Sequence, residues 1–315
     1  MAITPCDCDF GLSNSGVPNC TPIENVTYSL IIVPTYDSLG VRNSITLSDT
    51  LDAAYFTDRL NAGKSGATLT DRNQRWFPLP KMFSVEDSRA DSKFETLDGD
   101  VNFYVEKGTR TFNAVMPKIP ASYLKKIDSY RCNDISAYII DIDGKLVVNG
   151  EDALSAGVVY PFRLDNETWD TNLMKASTSP SVQKLSLVFS YDKREFDGDI
   201  KLIDSDEMSI DVRNLDGLLD VYASAAASIA TTGFATDLTY FYGTAPSPNK
   251  FKGALPADFT VYNETTTSAV TILTSPESPD GTYTFTFAAQ TSADVLTLAL
   301  VKDGFEMTDL TIVIP

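Results

Sequence analysis

The sequence predicts a mainly β protein folded as two successive β-domains, on three observations. Asp-Gly pairs, which supply the positive backbone dihedrals of tight hairpins, begin at Asp98, Asp143, Asp197, Asp216, Asp280 and Asp303. The apolar residues around most of them alternate with polar ones, the two-residue period of a half-buried strand. After Asp204 the composition shifts: Lys and Arg become scarce while Ala, Ser and Thr increase, which places a domain boundary near residue 206. At 315 residues, two such domains can each bury a core without disulfides or metal.

Residues 1–25, with Pro5, Pro18 and Pro22, are expected to form an extended arm. Cys6, Cys8 and Cys20 lie within it, but they lack the closer pairing of a thiolate zinc site and no His completes one, so no metal is assigned. A helix is expected with Ser48 or Asp49 as N-cap; it places Leu51, Ala54 and Tyr55 together and stops near Gly63. Residues 63–75 are polar, Gly-containing and aperiodic, a long loop ahead of Trp76, Phe77 and Leu79. Such loops are often contact elements, a mobile surface loop without a partner being the alternative.

Val101, Phe103 and Val105, a break at Gly108, then Phe112, Ala114 and Met116 predict a hairpin with one buried face. A helix after Pro120 carries Tyr123, Ile127 and Tyr130 on one stripe and packs across the sheet. Residues 137–142 and 146–148 flank Asp143-Gly144 as a second hairpin. Leu185, Leu187, Phe189 and Tyr191 run through Asp197-Gly198 to Ile200 and Leu202 as a third. In the second domain Tyr283, Phe285 and Phe287, then Leu296, Leu298 and Leu300, then a closing strand ending at Pro315, predict a small β-sandwich without the cysteine pair of antibody domains.

The formal charge of -18 opposes any large phosphate-binding surface. Residues 206–315 hold 14 acidic and 4 basic side chains, a balance of -10 that leaves -8 for the rest. Residues 1–10 lack a basic start followed by an apolar run, and no stretch of about 18 apolar residues occurs, so synthesis in the cytoplasm and no membrane span are expected. The sequons at Asn25, Asn166 and Asn263 then lose their usual meaning.

The chain contains no histidine, which removes the Ser-His-Asp and Cys-His arrangements and the commonest general base near neutral pH. Neither G-x-x-x-x-G-K-[ST] nor G-x-G-x-x-G precedes a helix. Asp141 with Asp143, and Asp204 with Asp206 and Glu207, are carboxylate pairs of the kind that hydrolyse glycosides, but equally turn and strand-end residues, and they lack the EF-hand order of ligands. Trp76 and Trp169 are far apart in sequence, so core packing is their default rather than a sugar platform. No catalytic, cofactor-binding or metal-binding residue is assigned, and no cofactor.

Asp98 through Gly108-Thr109-Arg110-Thr111-Phe112, the short helix at 121–131, residues 138–144 with Val159-Tyr160-Pro161, and the strand at 183–191 leading into Phe196-Asp197-Gly198-Asp199 form one arrangement. In that arrangement residues 27–204 resemble the tail-tube subunits of tailed bacteriophages. Leu255-Pro256-Ala257-Asp258-Phe259-Thr260-Val261 and Pro279-Asp280-Gly281-Thr282-Tyr283 resemble the immunoglobulin-like domains appended to phage structural proteins. The implied fold is an N-terminal β-sandwich or partial barrel over 26–205 with one or two short helices, followed by a C-terminal immunoglobulin-like β-sandwich over 206–315.

The implied function is a non-enzymatic virion structural protein of the tail, made in the host bacterial cytoplasm and stacked as hexameric rings around a DNA channel. The implied partners are further copies of itself, other phage tail proteins, double-stranded DNA passing without specific binding, and weak host-surface glycan contact by the C-terminal domain, with no membrane. Capsid decoration, a head-tail connector or, from another class, a glycan-binding module are the alternatives. Physically, an acidic lumen would let duplex DNA slide, and sheet edges pairing between neighbours would build the ring.

Overall fold

The computed structural model describes residues 25–97, 101–120, 122–150, 157–175, 182–195, 199–240, 249–278 and 281–315. The expected N-terminal arm with its three cysteines, and the turn residues Asp98-Gly99, Asp197-Gly198 and Asp280, lie outside them. The protein is mainly β, as the alternation predicts. No helix among the described residues is long and apolar enough to cross a membrane.

The first unit contains β1 (Thr27–Pro34), β2 (Ile45–Thr46), β3 (Phe77–Pro78), β4 (Phe83–Arg89), β5 (Lys93–Leu97), β6 (Val101–Glu106) and β7 (Arg110–Pro117). It continues with β8 (Ile135–Asp141), β9 (Leu146–Asn149), β10 (Val158–Val159), β11 (Phe162–Lys175), β12 (Lys184–Tyr191) and β13 (Ile200–Ile203). Its two α-helices are α1 (Ala53–Asn61) and α2 (Ser122–Asp128). One antiparallel sheet runs β13-β9-β8-β11-β12-β7-β4, with β1 beside β8 and β3 beside β1. Register shifts in the long β11, between Asp165 and Asp170 and between Leu173 and Lys175, are bulges of the kind that bend a sheet.

β1 and β8 are buried on both faces. Leu30, Ile32, Ala137 and Ile139 enter one core, while Ile31, Val33, Tyr138 and Ile140 enter another. Both strands are therefore nearly continuous apolar runs rather than alternating ones. The curved sheet wraps the first core, where Phe189 stacks on Phe112 at 4.8 Å and on Trp169 at 5.6 Å between ring centroids. α2 closes this core with Ile127, as its apolar stripe predicts. On the opposite face Phe56 of α1, Trp76, Val159, Met208 and Val212 fill the second core.

Several local expectations are met and several are corrected. β8 and β9 form the predicted hairpin, with Ile139 opposite Val147. Its turn needs a φ of +83° at Gly144, and the buried Asp141 carboxylate accepts the N–H groups of Asp143 and Lys145 at 2.9 and 2.8 Å. α1 is capped by Asp52, whose side chain accepts from the Ala54 N–H, not by Ser48 or Asp49; those lie in a short 3-10 turn and Leu51 is exposed.

β6 does not pair with β7. It pairs with β5, since both edges of β7 are already held, by β4 and β12. β12 does not pair with β13 either. Both edges of β12 are taken, by β11 and β7, so β13 joins the free edge of β9. Met208 and Val212 pack in a core of the first unit, so the change of core comes after the compositional break near residue 206.

The second unit contains β14 (Leu219–Ala223), β15 (Ala227–Ala230), β16 (Gly233–Tyr240), β17 (Phe259–Asn263), β18 (Ser268–Val270), β19 (Ile272–Thr274), β20 (Thr282–Phe287), β21 (Val295–Leu300), β22 (Phe305–Met307) and β23 (Leu310–Val313). Sheets β19-β20-β16-β14-β22, with β15 beside β16, and β18-β17-β21-β23 make the expected sandwich. Tyr283, Phe285, Phe287, Leu296, Leu298 and Leu300 all face its core. The closing run is two strands: β22 crosses to pair parallel with β14, and β23 returns antiparallel to β21.

Candidate assembly surface

β5 and β6 form a two-stranded arm that no other described strand joins. It is inserted where β4 and β7 meet: the Ala90 N–H donates to Thr109 O at 3.0 Å, and Arg89 Nη1 donates to Gly108 O at 2.7 Å. This neck requires glycine, since a Cβ at Gly108 would lie 1.8 Å from Ala90 O. Along the arm Phe94 meets Tyr104 edge-on at 5.9 Å, Thr96 donates to Asn102 at 2.6 Å, and Lys93 pairs with Glu106.

An isolated two-stranded ribbon is marginal in water. This one nevertheless leaves Phe94 60%, Phe103 46%, Tyr104 59% and Val105 56% exposed. Phe94 and Tyr104 pair on one face of the ribbon and Phe103 lies on the other. At 150–250 Å² per aromatic side chain, about half exposed, the Phe94–Tyr104 face shows roughly 200 Å² of apolar surface. The alternation at Val101, Phe103 and Val105 therefore does not mark a core-facing strand.

Beside the neck, β4 is an edge strand among the described residues, pairing with β7 alone. A bulge between Phe83 and Glu86, with Ser84 at φ +50°, and the charges of Glu86, Asp87 and Arg89 guard it against indiscriminate pairing. Arg110 grips Asp87 with two bonds of 2.7 and 2.6 Å, and the Tyr191 hydroxyl donates to the same carboxylate at 3.1 Å. At the other end of the sheet, β13 pairs with β9 alone among the described strands.

The loop at 63–75 is a contact element, and its partner is the second unit. Arg75, 2% exposed, donates through Nε to Ala62 O at 2.6 Å and through Nη1 to Glu306 Oε2 at 2.6 Å. Arg72 reaches the other oxygen of Glu306 at 3.3 Å. Lys64 donates to Lys302 O, and burial pushes its ammonium pKa down against the opposing charge of Asp303. Lys126 of α2 pairs with Asp220 of β14 at 2.5 Å. Between these contacts lies a groove of about 620 Å³, walled by Phe77, Pro78, Tyr123, Tyr130, Leu219 and Phe305.

Burial, reinforced by the charge of Asp220, pushes the Tyr130 phenol in this groove up to about 12. A phenol with a folded pKa above its unfolded value of 10.0 binds its proton more tightly in the fold, so its stabilisation is complete below pH 10 and is lost as pH rises towards 12. Thermal melts are expected to fall more steeply across that window for the unmodified protein than for Tyr130→Phe. Equal slopes would mean that this phenol ionises as freely folded as unfolded.

The other sequence candidates serve the fold. Trp76 packs on Tyr138 at 5.4 Å in one core while Trp169 lies in the other, so they make no joint platform. Asp204 and Glu207 close a capping box around a 3-10 turn. Glu306 carries no sequence assignment, Arg75 enters only as the end of the expected contact loop, and β6 of the arm reads from the sequence as a core-facing strand. The arm had a visible signal, aromatic residues on both sides of Asp98-Gly99, whereas the clamp joins single charges 231 positions apart.

No protein-family model matches the chain, and none of the curated proteins is similar to it. Among solved structures, the N-terminal part of the bacterial S-layer protein SbsC aligns at 15% identity with a TM-score of 0.23, covering 30% of this chain. The chain spans 24% of that structure, and a likeness so slight carries no argument about fold or function.

Proposed function

We propose that this chain is a non-enzymatic structural subunit that assembles with copies of itself, in the manner of the tail-tube proteins of tailed bacteriophages. The observation that carries the reading is the arm: apolar side chains held out on a narrow neck and left uncovered by the other described residues. Two open edges, β4 and β13, at opposite ends of one sheet support a head-to-tail ring, since a heterologous contact that closes makes a cycle. The charge of -18 suits a conduit that must not hold DNA. The second unit, attached through one clamped junction, sits outside the ring in this reading.

Negative-stain microscopy with mass photometry across a concentration series tests it. The unmodified chain is expected to give rings or tubes with a hole wide enough for duplex DNA. Phe94→Ser/Phe103→Ser/Tyr104→Ser is expected to raise the half-assembly concentration by about a hundredfold or more. Its melting temperature should not change, because none of the three side chains is in a core. An unmodified chain that stays monomeric throughout would sink the proposal.

A further inference from the structure

We infer that the acceptor for the β5–β6 arm is the junction groove of a second copy of this chain, so that copies join head to tail along β4 and β7. The inference rests on the self-assembly reading above and names the partner surface that reading leaves open. Its first support is placement. β7 starts two residues after Gly108 of the neck and ends at Pro117, just ahead of α2, which lines the groove through Tyr123 and Lys126. β4 runs the other way, from beside Pro80 of the groove to Arg89 at the neck.

Arm and groove thus sit at opposite ends of one strand pair, and eight residues at about 3.4 Å each separate them by about 25 Å. Within one chain the base of the arm and the groove stand that far apart. Between chains, a donor at one end and an acceptor at the other make a heterologous contact that repeats.

The second support is charge. Two copies at -18 repel one another over most of their surfaces. The groove is balanced, Arg72, Arg75 and Lys126 against Asp216, Asp220 and Glu306. The arm with its base, residues 91–107, is acidic: Asp91, Glu95, Asp98, Asp100 and Glu106 stand against Lys93 and Lys107, a net charge of -3. An acidic arm meets no net like charge in the balanced groove, unlike over most of the surface of a second copy, and the groove volume is in the range that encloses side-chain-sized groups.

The test places a photocrosslinking benzoylphenylalanine at the exposed Tyr104 and irradiates assemblies mixed from isotope-labelled and unlabelled chains, so that links between copies are identified by mass. Links from position 104 to residues 77–80, 123–130, 215–219 or 304–306 of another copy are expected. Leu219→Glu, at a partly exposed groove position, is expected to raise the half-assembly concentration about tenfold or more with the melting temperature unchanged. Links confined to other surfaces, or none between copies, in a protein that does assemble would overturn this inference and leave self-assembly standing. A chain that never assembles would overturn the reading beneath it.

Discussion

Glu306→Ala is expected to destabilise the protein by about 3 kcal/mol, the scale of breaking a buried ion pair from one side. The reason lies on the other partner. Arg75 is almost wholly buried and cannot lose its charge, so removing the carboxylate at 2.6 Å leaves a guanidinium in low dielectric with only the Ala62 carbonyl beside it. Arg75→Met/Glu306→Leu, which removes both charges and keeps the volume, is expected to recover most of the loss. Urea denaturation of the two variants measures this. A Glu306→Ala protein within about 0.5 kcal/mol of the unmodified one would show that the clamp is dispensable. Because the clamp joins the two units, the single variant should also broaden one unfolding transition into two.

Trp169→Ala is expected to cost about 4 kcal/mol, since it opens a cavity beneath a fully buried indole and strips one face of Phe189. The indole also donates through Nε1 to Ile127 O at 3.0 Å, satisfying one of the carbonyls that the end of α2 leaves unpaired. Trp169→Phe separates the two contributions: it keeps an aromatic ring on Phe189 and loses the donor, so a loss of about 1–2 kcal/mol is expected. Guanidinium unfolding gives both values, and amide exchange in α2 should quicken in both variants. If Trp169→Phe were as damaging as Trp169→Ala, the donor lost in both variants would outweigh the ring packing kept in one.

Where structure is decided within a few residues, it was legible in the sequence. The β8–β9 hairpin, α2, β20 and β21 follow from turn chemistry or period alone. Strand partners were not legible, because pairing is a competition for edges. Leu185, Leu187, Phe189 and Tyr191 alternate as read, but β12 is claimed on both sides by strands that complete the curved sheet. Alternation in β6 was also real and led to the wrong surface. A period of two reports that one face of a strand is apolar and is silent on whether a core or another molecule covers it. The junction was the least legible part, since Arg75 and Glu306 are ordinary charges until the fold brings them together.

The neck at Ala90, Gly108 and Thr109 has a consequence for how this protein can change over time. β4 and β7 already face each other at the neck, so the host sheet is complete without the arm. None of the described side chains of β5 and β6 belongs to any of the three cores. Apart from Glu106, which pairs with Lys193 of the host unit at 3.2 Å, substitutions there are answerable mainly to whatever the arm touches. The arm is thus free to lengthen, shorten or be exchanged for another segment at that one point, and related chains should differ most in this hairpin while keeping the glycine at its base.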